Sequence, residues 1–254
     1  MRLFALLIII LCQPAVAADH MAVAVIIDDI GHNYKRGLEA IRLEGAFTYA
    51  ILPQTQYAVQ LATEAHKARK EIMVHVPMES IAGLPFGIEG EGLEKRMNRE
   101  EFDRILGALI DSVPYASGVN NHQGSRLTQQ MTQMHWLMDE VYKRKMYFVD
   151  SKTTHRTVAE DVAFVRQIFA STRDVFLDVE KSEEYVARSF DKLIKIAERK
   201  GTAIAIGHPH RVTINFLKSA KQILDNKNIA LVPASNLIAL QKINTQTPIN
   251  STSE

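Results

Sequence analysis

Hydrophobic residues in this chain come in short unbroken runs, separated by longer stretches in which apolar positions recur every three or four residues. The runs AVAVII (22–27), FTYAIL (47–52), EIMVHV (71–76), YASGVN (115–120), MYFV (146–149), DVFLD (174–178), AIAIG (203–207) and IALVP (229–233) read as strands. The stretches 34–44, 56–69, 99–112, 128–144, 157–169, 182–199, 211–225 and 235–242 read as helices. Several strands lack polar alternation, so both their faces must be covered, which is the condition of a parallel sheet clothed in helices. Regular alternation of strand and helix predicts an α/β fold, either a barrel or a doubly wound sheet. No repeat, long linker or block of charge divides the chain, and 18–242 is expected to be one domain.

Polar residues then fall in a telling place. Asp28 and Asp29 follow the first strand, His75 ends the third, and Asn120, Asn121 and His122 follow the fourth. Asp150 follows the fifth, Asp178 ends the sixth, and His208 and His210 follow the seventh. In parallel α/β folds the C-terminal ends of strands share one face, where loops build the active site. Each residue alone has a plainer reading. Adjacent aspartates can cap a helix, His75 can be a core histidine bonded to backbone, and NNHQGS can be a polar turn. His20, His32, His66, His135 and His155 are expected to be surface or local structural residues.

Composition narrows the chemistry. At 254 residues and 46% hydrophobic, the chain has enough material for a full core. Residues 1–17, MRLFALLIIILCQPAVA, have one positive charge, an apolar run too short to span a bilayer, and Ala15 and Ala17 at signal-peptidase spacing. They predict an export signal and a secreted protein, most simply periplasmic in a bacterium, with no stable membrane insertion after cleavage. Removing Arg2 from the 30 basic side chains leaves 29 against 29 acidic ones, a balance that gives no reason to expect nucleic acid as a partner. The one cysteine, Cys12, lies inside that signal, so disulfides, zinc-cysteine sites and a thiol nucleophile are excluded from the mature chain. A loop rich in Gly and Pro is expected at 77–98, and a polar disordered tail at 243–254. The oligomeric state is not readable.

Any metal must therefore be held by His, Asp and Glu. Asp29, His75 and His122 form a mixed nitrogen and oxygen triad suited to a divalent cation, zinc first, with a position open for water. The second aspartate can then accept a proton from the attacking water, and a histidine across the site can protonate a leaving amine. That combination is metal-assisted amide hydrolysis.

The blocks IIDDIGH, VHVPMES, GVNNHQGSR, YFVDSKTT, DVFLD and AIGHPH, in this order, closely resemble the divergent polysaccharide deacetylase family, a branch of the NodB-like carbohydrate esterase superfamily. The resemblance spans about residues 22–240. It implies a distorted (β/α) barrel of about seven strands, a divalent metal, and an N-acetylated glycan as substrate. It also implies Asp28 as base, Asp29 as metal ligand, His208 as acid and Asp150 as the carboxylate that orients a neighbour. The superfamily's second histidine after strand three is replaced here by Glu79, so His122 is the expected third ligand, with Glu79 as the fallback. Its Arg-x-Pro-Tyr block is absent, and Asn121 and Arg126 of NNHQGSR are expected to contact substrate instead. Two other functions fit the same residues: a periplasmic glycan- or protein-binding module that has lost catalysis, and a metal-dependent esterase or phosphatase.

Overall fold

The computed structural model describes residues 21–84 and 91–246. The expected export signal at 1–17 with Cys12, residue His20, and the expected tail from residue 247 onward lie outside the described residues. Strand and helix alternate through β1 (Ala22–Ile30), α1 (Tyr34–Ile41), β2 (Thr48–Ile51), α2 (Ala58–Lys67), β3 (Glu71–Met78), α3 (Arg99–Asp111) and β4 (Gly118–Gln123). Next come α4 (Met131–Lys143), β5 (Tyr147–Asp150), α5 (Ala159–Val165), β6 (Ala170–Thr172) and β7 (Val175–Phe176). The chain then runs through α6 (Glu183–Lys200), β8 (Thr202–Gly207), α7 (Arg211–Leu217), α8 (Ala220–Asp225), β9 (Ala230–Leu231) and α9 (Ala234–Gln246).

The strands form one parallel sheet in the order β6-β5-β4-β3-β2-β1-β8-β7, with β9 added beside the start of β1. Its two edge strands, β6 and β7, are consecutive in sequence and separated only by Arg173 and Asp174. So short a link reaches about 11 Å at most, and the sheet must curl until its edges nearly meet. Arg173 clasps this seam. Its guanidinium donates to the carbonyls of Ser151 (2.7 Å) and Lys152 (2.8 Å) after β5 and lies 3.7 Å from the ring centre of Phe176 in β7. The result is the expected distorted (β/α) barrel, NodB-like, with eight strands along the sheet rather than about seven.

Curling splits each strand into an inner and an outer set of side chains. In β1, Ala22, Ala24 and Ile26 face the barrel interior with Met73, Tyr147, Val149, Ile204 and Ile206, while Val23, Val25 and Ile27 pack outward against helices. Both faces are buried, which is why the sequence shows apolar runs without alternation. Ala234, Leu237 and Ile238 of α9 pack onto the same inner cluster. Each such fully buried aliphatic side chain contributes about 1.5–3 kcal/mol against exposure.

Element boundaries depart from expectation in several places. β4 runs 118–123 instead of 115–120, so Asn120, Asn121 and His122 lie within the strand, paired with His75, Val76 and Pro77 of β3 respectively, instead of following it. The helix expected at 211–225 is two helices, α7 and α8, and the stretch at 157–169 shortens to α5, its end leading into β6. α9 continues to Gln246, past the expected domain end at 242.

Candidate metal centre

Two neighbouring residues of a regular strand point to opposite faces. Asp28 and Asp29 escape that rule through a bulge. Between β1 and β2 the register passes from Ile27 opposite Tyr49 to Ile30 opposite Ile51, three steps against two. The extra residue is accommodated by Asp29, whose φ of 58° is left-handed. Asp28 keeps the inward parity of Ala24 and Ile26 and is 2% exposed, while Asp29 turns its carboxylate toward the same site from the rim. His75 Nε2 lies 3.5 Å from Asp28 Oδ2 and 3.3 Å from Asp29 Oδ1.

His75 shares the inward face of β3 with Met73, and register places it opposite Asn120, with His122 two residues further along β4. Nδ1 of His122 is 3.0 Å from His75 Nε2 and 3.1 Å from Asp29 Oδ1. Asn120, fully buried, orders this group: its Nδ2 donates to Asp28 Oδ1 (2.9 Å) and its Oδ1 accepts from His75 Nδ1 (2.7 Å). The proton of His75 therefore resides on Nδ1, and Nε2 offers a lone pair to the site.

Three potential ligand atoms, Asp29 Oδ1, His75 Nε2 and His122 Nδ1, thus form a triangle with sides of 3.0, 3.1 and 3.3 Å. The edge of a tetrahedral zinc site with N and O ligands is about 3.3 Å. Asp29 Oδ1 is moreover buried without a hydrogen-bond partner, although two ring nitrogens adjoin it. Buried carboxylate oxygens left in this way are costly unless a cation meets them. The donor set and its spacing fit a divalent metal.

His208 stands across the cleft at the end of β8, its Nε2 3.9 Å from Asp29 Oδ2. Its Nδ1 donates to Asp178 Oδ1 (2.8 Å), while Asp178 Oδ2 accepts from the His208 amide and from Thr213 Oγ1, both at 2.7 Å. Burial favours the neutral imidazole, yet the hydrogen bond and charge of Asp178, with Asp29 and Asp28 beyond, push its pKa up to about 9. Asp28 is also raised, mainly by burial, against the opposing influence of His75, His208 and the Asn120 hydrogen bond. Burial would raise the Asp29 carboxyl too, but the two imidazoles hold it well below the usual range.

Other expected site residues are placed elsewhere. In β5 Tyr147 and Val149 face inward and Phe148 outward, so Asp150 also points to the helix side. There it accepts from the Lys152 amide (2.8 Å) and Thr157 Oγ1 (2.7 Å). The carboxylate that orients His208 is Asp178, not Asp150. Asn121, with the opposite parity to Asn120, is fully buried and ties the Ser151 amide to the Gln123 carbonyl. Arg126 is 3.0 Å from Glu79 Oε1 and donates to the carbonyls of Ser80 and Ile81. Glu79 also accepts from the Lys95 amide, so this pair fastens a loop and neither residue joins the triad. Asp178 and Asn120 are the residues sequence reasoning left without a role. Parity along β7 and β4 is the signal that could have found them. Of the histidines expected to be local, His66 stacks on Tyr115 and His135 pairs with Arg166.

Comparison with known proteins agrees with the fold. The chain is 33% identical over 238 residues to the uncharacterized protein YibQ of Escherichia coli, covering 94% of this chain and 73% of that one. An uncharacterized Haemophilus influenzae protein is 31% identical, over 87% of this chain and 78% of its own length. Among solved structures, an uncharacterized protein from Agrobacterium tumefaciens superposes with a TM-score of 0.80 at 23% identity, over 88% of this chain and 92% of that one. A variant of the peptidoglycan deacetylase PdaC from Bacillus subtilis does so at 0.51 and 11% identity, over 89% and 94%, a likeness of fold. The sequence pattern of the divergent polysaccharide deacetylases matches residues 25–238 from β1 to α9, and with it every strand that delivers a residue to the cleft; the chain belongs to that family.

Proposed function

We propose that the protein is a metal-dependent hydrolase that removes N-acetyl groups from amino sugars of a polysaccharide or oligosaccharide. The observation that carries this reading is Asp29 Oδ1, buried without a hydrogen bond and within 3.3 Å of two imidazole nitrogens, with a second buried carboxylate alongside. Asp29, His75 and His122 would hold the cation, zinc by their donor types. When bound, it supplies the positive charge that polarises the acetamide carbonyl and acidifies a water.

The chain's own groups divide the proton work. Asp28 takes the proton of the attacking water; burial makes it a stronger base than an exposed carboxylate, and Asn120 holds it in place. His208 carries its proton on Nε2 toward the cleft, braced by Asp178 at Nδ1, and delivers it to the departing sugar nitrogen. Water and acetamide thereby become acetate and a free amine. The export signal expected at 1–17 would bring the enzyme to the cell envelope, where N-acetylated glycans are abundant. A peptidoglycan deacetylase among the proteins of like fold supports the glycan class.

Metal analysis of purified protein and of Asp29→Ala tests the ligand set, and acetate release from N-acetylated oligosaccharides tests the chemistry. Wild type is expected to bind one divalent ion and release acetate, Asp29→Ala to do neither, and Asp28→Asn to keep the ion but lose release. Full metal occupancy in Asp29→Ala would remove the ligand assignment. A metal-loaded wild type that releases acetate from no such oligosaccharide would leave a glycan-binding scaffold instead.

A further inference from the structure

Beside the triad, on the His208 side, a cleft of about 130 Å³ opens between the β1 bulge, the start of α1 and the turn after β8. Its lining has an unusual balance. Arg36, His32 and His210 are among its lining residues, and Asp29, already committed to the triad, is the only acid among them. Among the described residues, the Arg36 guanidinium meets no carboxylate, and the rings of His32 and His210 make no side-chain hydrogen bond. Arg36 is placed by the helix itself: Asn33 Oδ1 caps α1 by accepting from the Arg36 amide at 3.0 Å. His210 stacks on His208 with ring centres 5.7 Å apart, so the cleft continues directly from the group that faces the leaving nitrogen.

We infer that this cleft is a subsite for an anionic group on the sugar, a carboxylate or a phosphate, carried on the amine side of the scissile amide. The inference rests on the hydrolase reading for its geometry. With His208 at the leaving nitrogen, the acetyl group lies toward the triad and the sugar ring toward Arg36. A neutral sugar offers only hydroxyls to three nitrogen side chains that water already solvates. An acidic substituent instead gains a forked, charge-assisted contact from a guanidinium that has no other partner. Arg36 is the specificity-determining residue, and His32 and His210 are secondary donors.

Binding of three probes to the zinc-loaded protein, measured by calorimetry, tests this without depending on turnover: N-acetylmuramic acid, N-acetylglucosamine 6-phosphate and neutral N-acetylglucosamine. At least one acidic probe is expected to bind about tenfold tighter than the neutral one, and the probe with the larger advantage identifies carboxylate or phosphate as the source. In Arg36→Gln the ratio of acidic to neutral affinity should fall to about one, in Arg36→Glu below one, and in Arg36→Lys it should recover in part. Because the side chain is exposed and unbonded, these variants are expected to fold as wild type does. Equal affinities for all three probes in wild type, or a preference that survives Arg36→Gln, overturn the inference whatever the acetate assay shows. An Arg36-dependent preference for acid without acetate release from any substrate would uphold the subsite and overturn the hydrolase reading instead.

Discussion

Asn120 is the residue whose removal should most clearly separate the metal centre from the rest of the fold. It is fully buried, accepts from His75 Nδ1 at 2.7 Å and donates to Asp28 Oδ1 at 2.9 Å, so a single side chain sets the tautomer of one proposed ligand and the position of the proposed base. Hydrogen bonds to charged groups are worth about 1.5–3 kcal/mol each, and loss of a partner behind a ligating histidine weakens metal binding about 10–100-fold. At about 1.36 kcal/mol per decade that is about 1.4–2.7 kcal/mol of zinc affinity for Asn120→Ala. Asn120→Asp makes a different prediction. It keeps an acceptor for His75 but replaces the donor to Asp28 with a third carboxylate, so zinc affinity should hold within a few-fold. The protonated form of Asp28 gains, and the acid limb of acetate release should move to higher pH. Competition for zinc against a chromophoric chelator reads the first effect, and the pH–rate profile reads the second. If Asn120→Ala folds, binds zinc as tightly as wild type and keeps the same profile, Asn120 has no part in either task.

Three further outcomes follow from the same geometry. Asp178 holds the His208 pKa up at about 9 from an ordinary 6.5, so in Asp178→Asn the ring should titrate near the ordinary value, and the alkaline limb of activity should move down, as read by NMR titration and acetate release. Because the folded value is raised, this pair's contribution to stability is complete below the unfolded value near 6.5 and is lost as pH climbs through about 9. The urea midpoint of wild type should therefore fall across that window more than that of Asp178→Asn. Gly31→Ala places a Cβ 2.0 Å from Thr55 Oγ1 at a φ of +148°, and should cost about 2–4 kcal/mol in urea unfolding; an unchanged midpoint would show that the turn relaxes. Free zinc at a hundredfold excess over its Kd should stabilise the fold by about 2.7 kcal/mol, a gain that a chelator abolishes and that Asp29→Ala never shows in thermal melts.

The fold was legible because a parallel barrel buries both faces of its strands, and runs such as 22–27 and 203–207 announce that burial directly. Asp29, His75 and His122 could be picked out because strand ends in such a fold converge, and the structure brings all three within 3.3 Å of one another. What could not be read was parity. Asp150 and Asp178 both close an apolar run, but Tyr147 and Val149 occupy the interior positions of β5, whereas in β7 Phe176 takes the inner place, and Asp178 two residues on keeps it. The start of β4 departs from expectation for a related reason. Its pairing with β3 begins at Gly118, where an added Cβ would lie 2.3 Å from the Tyr147 ring, and local propensity carries no trace of that long-range packing.

The bulge at Asp29 has an evolutionary meaning that side-chain identities conceal. A relative with one residue fewer between Ile27 and Ile30 could keep every apolar position of β1 and the ladder to β2, and so retain the scaffold. It would nevertheless own one carboxylate at the mouth of the barrel where this chain has two. Cation retention and proton abstraction would then compete for a single group, and the scaffold could hold a ligand without turning it over. In this chain, backbone length at that point, and not the presence of an aspartate alone, is what brings two carboxylates to the mouth of the barrel.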